Sequence, residues 1–167
     1  MRLVLLGLLC TVLALARAAQ PEGSVALSGD VQRPITISVD TLRNFGAAGQ
    51  VNFKTSRDID GRQQQTVVRG VSLKALLEQS GLVERDRFDW RKAVVIAIAR
   101  DGYRAVFSWP ELFNTEGGAQ VMLAYERDGA PLGANEGPIA LNAPNDLRTG
   151  PRHVKWLERI EVRVLRD

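Results

Sequence analysis

The stretch that decides the fold is AVVIAIARDGYRAVF, residues 93–107. Its first half, Ala93 to Ala99, is apolar at every position and rich in Val and Ile, which is typical of a central strand buried on both faces. Asp101-Gly102 then provides a turn, and Tyr103 to Phe107 follows it directly. Two apolar runs joined by an Asp-Gly pair predict a β-hairpin.

Shorter elements surround this hairpin. The clearest helix begins after Ser72 and ends at Gly81, because Leu73, Leu76 and Leu77 repeat at helical spacing between a capping residue and a helix-terminating glycine. Alternating or β-branched runs predict short strands at Ser24–Leu27, Ile35–Ser38, Gln50–Lys54, Thr66–Arg69, Gln120–Glu126, Ile139–Ala143 and around Ile160, Val162 and Val164.

Two further helices are short. Ser108 and Glu111 have the spacing of a capping box, which predicts a helix start. A second short helix is expected over Thr41–Phe45, capped by either Ser38 or Asp40. Many short strands, few helices and no regular strand–helix–strand alternation predict a mixed, β-rich α+β domain.

The composition narrows the class of protein. The chain has 167 residues, of which 45% are hydrophobic and 25% charged, as in an ordinary globular domain. A formal net charge of +3 is too small for a protein that binds nucleic acid through a dense basic face. With one cysteine and one histidine, the sequence also lacks the ligands of a usual zinc site.

The N-terminus has the pattern of a secretory signal. Arg2 is followed by an uncharged run from Leu3 to Ala16, and Ala16-Arg17-Ala18 resembles a cleavage site. An uncleaved anchor is the alternative, but the run is short of the roughly 20 residues that span a bilayer. We therefore expect a signal peptide over residues 1–18, cleaved near Ala18, which removes the only cysteine, Cys10. Residues 19–34 then form a leader and first strand, and residues 35–167 the main module.

One group of residues suggests ligand chemistry. Arg148 and then Arg152-His153-Val154-Lys155-Trp156 follow a loop rich in Asn, Pro and Gly. Arg and Lys donate charge-assisted hydrogen bonds to phosphate or carbonyl oxygens, and Trp156 offers a face for a flat ring. The alternative is a solvated basic edge with Trp156 filling the core.

An ordered set of motifs adds a family resemblance. From about Ile35 to Val164 the chain resembles the molybdopterin-binding domain of sulfite-oxidase-type oxidoreductases. The segments that carry the resemblance are Gly70-Val71-Ser72-Leu73, Asp101-Gly102-Tyr103, Leu123-Ala124-Tyr125, Asp128-Gly129-Ala130-Pro131-Leu132, Gly137-Pro138 with Pro144, and Arg152-His153-Val154-Lys155-Trp156-Leu157 with Ile160. The resemblance implies a sulfite-oxidase-like fold and a pterin cofactor, either molybdopterin-like or a simple reduced pterin.

The sequence departs from this family at the residue that ligates the metal. The oxidoreductases carry a molybdenum-ligating Cys before the Gly-Val helix, whereas the corresponding stretch here, Phe53 to Gly61, has none. Ser56 lies near that place, and a neutral hydroxyl is a poor substitute for a soft thiolate. Small exported relatives without this Cys resemble pterin-binding regulators that act with membrane-bound diguanylate cyclases or sensor kinases.

The resemblance therefore implies a periplasmic, non-catalytic pterin sensor with a membrane signalling partner. The alternatives are a molybdopterin-dependent oxidoreductase whose metal has a non-Cys ligand, and a scaffold with no ligand.

The resemblance also assigns site residues. It places Arg152, His153, Lys155 and Trp156 at the phosphate and pterin, and Thr55, Ser56 and Arg57 at the opposite wall. Ligand contact is favoured for Arg152 and Lys155 because the sequence shows no packing reason for a basic pair there. His153 could instead bond to the backbone, and Trp156 could instead fill the core. No catalytic and no metal-ligating residue is assigned.

Overall fold

The computed structural model describes residues 21–148 and 150–166, and within these it leaves the side chains of residues 57–59 undescribed. The expected signal peptide, residues 1–18, lies outside the described residues. The strands are β1 (Val25–Gly29), β2 (Ile35–Ile37), β3 (Gln50–Ile59), β4 (Arg62–Ser72), β5 (Ala93–Ala99), β6 (Arg104–Ser108), β7 (Met122–Arg127), β8 (Ala130–Pro131), β9 (Ala140–Asn142) and β10 (Leu157–Val164). The helices are α1 (Val39–Arg43), α2 (Leu73–Ser80), α3 (Asp89–Lys92), α4 (Trp109–Asn114) and α5 (Glu116–Ala119), with 3-10 turns at Ala47–Gly49 and Gly150–Arg152.

The first sheet has the order β2-β1-β10-β5-β6. The predicted hairpin is present as β5 and β6, and Tyr103 N donates to the side chain of Asp101 in its turn. The central position belongs to β10, which runs parallel to β1 and antiparallel to β5. Val94 and Ile96 are only partly buried, so the expectation of a central β5 buried on both faces is wrong. The outer face of the sheet remains partly open to solvent along these two residues.

The second sheet has the order β3-β4-β7-β8, with β9 paired to the other part of β7. Its long hairpin, β3–β4, pairs every residue from Gln50 to Ile59 with a partner on β4. The sequence predicts only the parts of β3 and β4 nearest the core. The distal half of the hairpin is polar and lacks the alternation of apolar and polar residues that identifies a half-buried strand. The Asp60-Gly61 turn falls where predicted.

The helices begin where the capping signals place them, with one shift. Ser108 and Glu111 form the predicted capping box of α4. Ser38, and not Asp40, caps α1, so this helix begins two residues earlier than expected. At α2 the side chain of Ser72 makes no cap hydrogen bond, and its hydroxyl donates to the Ala119 carbonyl at 3.3 Å instead.

The hydrophobic core lies between the two sheets and takes in the apolar faces of the helices, including Leu42, Leu76 and Leu112. A second, smaller cluster lies on the other face of the second sheet and is formed by Val68, Met122, Ala124, Leu132 and Ala140, with Val51 and Phe53 packed against it. None of the helices in the described part of the chain has the length and apolar character required to cross a bilayer. These features confirm the predicted β-rich α+β class.

A β-bulge in the second sheet changes which way β7 presents its side chains. Val68 is paired with Arg127 and Gly70 with Ala124, so the pairing shifts between Arg69 and Gly70. Without the shift, Arg127 would share a face with Leu123 and Tyr125 in the main core. With it, Arg127 lies on the face of Val68, because a bulge re-aims the side chains beyond it.

We expect Gly70→Ala to destabilise the protein by about 1–3 kcal/mol, because an added Cβ would overlap the backbone carbonyl of Leu123 across the bulge. The matched control is Gly46→Ala, where nothing lies within 4 Å of an added Cβ. Urea unfolding of both variants measures the effect, and the control should stay within about 0.5 kcal/mol of the parent. Equal stabilities for Gly70→Ala and the parent would show that the bulge tolerates a side chain.

Candidate functional site

A cavity of about 140 Å³ lies on the outer face of the second sheet. The residues that line it are Phe53, Thr55, Val68, Met122, Arg127, Asn142, Ala143, Pro144 and His153. Strands β3, β4 and β7 provide its floor, and the segments that follow β9 and the 3-10 turn Gly150–Arg152 provide its wall. The second apolar cluster therefore continues directly into the cavity.

The floor is apolar and the rim polar. Phe53, Val68 and Met122 supply the apolar floor, and Phe53 is its aromatic ring. Thr55 and Asn142 contribute a hydroxyl and a side-chain amide. An apolar surface with a few convergent polar groups is the usual composition of a small-molecule site.

A buried polar cluster lies at one side of this cavity. Arg127 Nη2 donates to both carboxylate oxygens of Glu136 at 2.9 Å. Glu136 is 9% exposed, and its Oε2 lies 3.3 Å from His153 Nε2. Because a buried carboxylate is stable only when it is paired, Arg127 is the group that allows Glu136 to be charged here.

His153 has an unsatisfied nitrogen within this cluster. Its Nε2 atom is buried and, among the described residues, makes no hydrogen bond of acceptable geometry, although Glu136 is close. Burial lowers the pKa of His153 below its ordinary value of 6.5, against the opposing effect of the Glu136 carboxylate, and the Lys155 and Arg127 charges lower it further. His153 is therefore neutral near pH 7. Its Nε2 faces Glu136 and is closed to solvent, and the residue forms part of the cavity lining.

Arg152 lies outside the cavity lining, in a separate ion cluster. Its Nε and Nη2 bind both oxygens of Asp146, and its Nη1 donates to Glu111 Oε1 at 2.5 Å. The guanidinium also lies 4.7 Å from the centre of the Phe107 ring. These hydrogen bonds raise its pKa. Arg152 therefore has a structural role that the sequence did not show, and its contact with a ligand stays a prediction.

Lys155 and Trp156 line a different surface depression, together with Arg100, Asp101 and Asn135. The Arg100 guanidinium lies 4.6 Å from the centre of the Trp156 ring. Gly137 packs so closely that an added Cβ would lie 2.7 Å from that ring. Trp156 is half-buried, an exposure that fits both alternatives, packing in the core and contact with a ligand.

The three residues expected at the opposite wall lie next to one another on β3 but do not all line the cavity. Thr55 lines the cavity. Ser56 lies on the other face of the hairpin, where its hydroxyl donates to Gln63 Oε1 at 2.7 Å. The backbone of Arg57 pairs with Gln64, and its side chain lies outside the described part. The structure therefore brings together two of the expected residues, Thr55 and His153.

Sequence reasoning missed Phe53, Arg127, Glu136 and Asn142. Strict alternation along β7 places Arg127 on the core face, and only the bulge moves it to the cavity. Glu136 stands in a glycine-containing loop where nothing in the sequence signals burial. Asn142 could have been considered, since it lies near the end of a predicted strand, where the Asn/Pro/Gly loop begins.

Comparison with known proteins agrees with this fold. Residues 20–165 match the family described as the oxidoreductase molybdopterin binding domain, and the chain belongs to this family. The fold is similar to that of the sulfane dehydrogenase SoxCD from Paracoccus pantotrophus, with a TM-score of 0.62 and 18% sequence identity. The similarity covers 85% of this chain and 38% of that one, so the chain spans well under half of its structural relative. No curated protein sequence matches the chain.

The donor set fits a pterin ring better than a molybdenum ion. The cavity lining includes His153, Asn142 and Thr55, whose polar groups suit the donor and acceptor edge of a pterin. Molybdopterin supplies redox chemistry through its metal when bound. The sequence has no cysteine after Cys10, so the described residues offer no thiolate to a metal that the pterin would hold. The thiolate ligand that the family uses has no counterpart at this cavity.

Burial of His153 predicts a loss of stability on acidification. The unfolded chain takes up the imidazole proton near pH 6.5, whereas the folded protein does so only at lower pH. Protons therefore favour the unfolded state below about pH 6.5, and the stability is regained above it. We expect the free energy of unfolding to fall between about pH 7.5 and about pH 5.5 in the parent, and to fall less in His153→Gln.

Urea unfolding at both pH values measures this difference. Because His153 is the only histidine, no second imidazole contributes. Identical pH dependence in the parent and in His153→Gln would contradict the assignment of a depressed pKa.

Proposed function

We propose that this protein is a non-catalytic pterin-binding module. The observation that carries the proposal is the apolar cavity on the second sheet, with Phe53 on its floor and the polar residues Thr55, Asn142 and His153 in its lining. An apolar surface of this kind with a few polar groups is what binds a flat, polar-edged ring. Membership of the molybdopterin-binding family supports a pterin as the class of ligand.

The cavity has the two surfaces that a pterin needs. A pterin is flat, and its 2-amino-4-oxo edge carries both hydrogen-bond donors and acceptors. Phe53 can stack on the ring face, while His153 and Asn142 offer polar atoms to the ring edge. Arg127 is held by Glu136, so it contributes a fixed donor at the rim.

The absence of a family-type thiolate in the sequence supports binding over redox turnover. In the oxidoreductase alternative, the metal would depend on a ligand other than cysteine. The oxygen and nitrogen donors at the cavity are harder ligands than the thiolate they would replace. We therefore place the sensor ahead of the molybdopterin-dependent oxidoreductase.

We further propose that the protein acts in the periplasm with a membrane-bound signalling partner, such as a diguanylate cyclase or a sensor kinase. The secretory pattern of residues 1–18 supports export. The missing cysteine and the resemblance to small exported pterin-binding regulators support the signalling role. In this proposal the occupancy of the cavity is the signal.

The direct test is pterin binding by the exported protein, using neopterin as the probe. Neopterin at about 100 times its dissociation constant should raise the free energy of unfolding by about 2.7 kcal/mol. His153→Ala should weaken binding by about 1–3 kcal/mol, because it removes the proposed polar contact. Ser56→Ala is the control, since Ser56 lies on the opposite face of the hairpin, and it should leave the affinity unchanged.

Isothermal calorimetry and thermal melts give these values, and metal analysis of protein from cells that make molybdopterin completes the test. Absence of any pterin-dependent stabilisation would contradict the binding proposal. Stoichiometric molybdenum together with substrate turnover would establish the oxidoreductase instead.

A further inference from the structure

We infer that the cavity selects pterins that carry no phosphate. This inference rests on the proposed function and names the ligand class within it. Its basis is the charge of the described side chains: Arg127, which lines the cavity, and Arg152, which precedes His153 in the chain, are both paired with carboxylates of the same chain. A phosphate attached to the bound ring would therefore find no uncompensated arginine among the described side chains of the lining.

The cavity lining itself has no free positive charge among the described residues. Its one arginine, Arg127, makes two hydrogen bonds to Glu136, and Glu136 is largely buried. Burial keeps His153 neutral near pH 7. The charges of Arg127 and Glu136 cancel, so the lining suits a neutral ring and offers an anion little net attraction.

Arg152, which precedes the cavity-lining His153 in the chain, is paired with two carboxylates. Asp146 binds two of its nitrogens and Glu111 binds a third. One guanidinium between two carboxylates leaves the cluster with a net negative charge. Each carboxylate occupies the hydrogen-bonding positions that a phosphate would take, because both anions bind arginine through the same planar set of donors.

The other two cations of residues 148–156, Arg148 and Lys155, are not among the residues that line the cavity. Arg148 and Lys155 are both exposed, and Lys155 belongs to the depression beside Trp156. Exposed cations interact weakly with an anion because water and salt screen the charge. The cavity volume of about 140 Å³ is also below the roughly 300–1,000 Å³ of sites that enclose larger ligands, which favours a bare ring with a short side chain.

A matched pair of ligands tests the inference: neopterin and its phosphate monoester, which differ only in the phosphate. We expect the intact protein to bind neopterin at least about tenfold more tightly, a ratio equivalent to about 1.4 kcal/mol. Asp146→Asn removes one carboxylate from Arg152 and should narrow this ratio by raising the affinity for the phosphate ester. Glu161→Gln is the control, because Glu161 pairs with Arg163 in the other sheet and should leave the ratio unchanged.

The outcomes separate the inference from the proposal beneath it. Equal or tighter binding of the phosphate ester by the parent would overturn the inference while leaving pterin binding intact. An unchanged ratio in Asp146→Asn would overturn the role assigned to the Arg152 cluster. Failure of both ligands to bind would refute the proposed function, and the inference with it.

Discussion

The pairing of Arg127 with Glu136 is the interaction on which the site depends. A buried carboxylate costs several kcal/mol to desolvate, and only a close, well-aligned cation compensates that cost. Arg127 provides it through two hydrogen bonds of 2.9 Å, and Glu136 in turn lies beside the imidazole of His153. The arginine reaches this position because the bulge at Arg69 and Gly70 turns the end of β7 toward the outer face of the second sheet. A local irregularity in strand pairing thus determines the chemistry of the cavity.

The two faces of the second sheet therefore have different roles. One face, through Leu123 and Tyr125, belongs to the main core and stabilises the domain. The other face, through Val68 and Met122, supports a small apolar cluster and the cavity above it. Family membership and the likeness to a sulfane dehydrogenase establish a molybdopterin-binding type of fold. The sequence keeps that fold without the cysteine that the redox members use, which is why we favour binding over turnover.

The sequence predicts the elements whose signals are local. The β5–β6 hairpin follows from an apolar run and an Asp-Gly turn, and the α4 start follows from Ser108 and Glu111. The site depends instead on contacts between distant parts of the chain. Glu111 lies 41 residues from Arg152, and the bulge that re-aims Arg127 needs the register of β4 against β7. Neither contact produces a recognisable pattern in the sequence, so the partners of Arg152 and the role of Arg127 could not be predicted.

The central claim is that the imidazole of His153 contacts the bound pterin. Nitrogen-15 NMR of the imidazole tests it directly, since this chain has a single histidine and its ring signals need no assignment by mutation. Titration with neopterin at pH 7.5 should shift the imidazole nitrogen resonances, and the shifts should saturate with the binding isotherm. Saturation of binding with both ring nitrogens unmoved would show that the pterin binds elsewhere and would contradict the account.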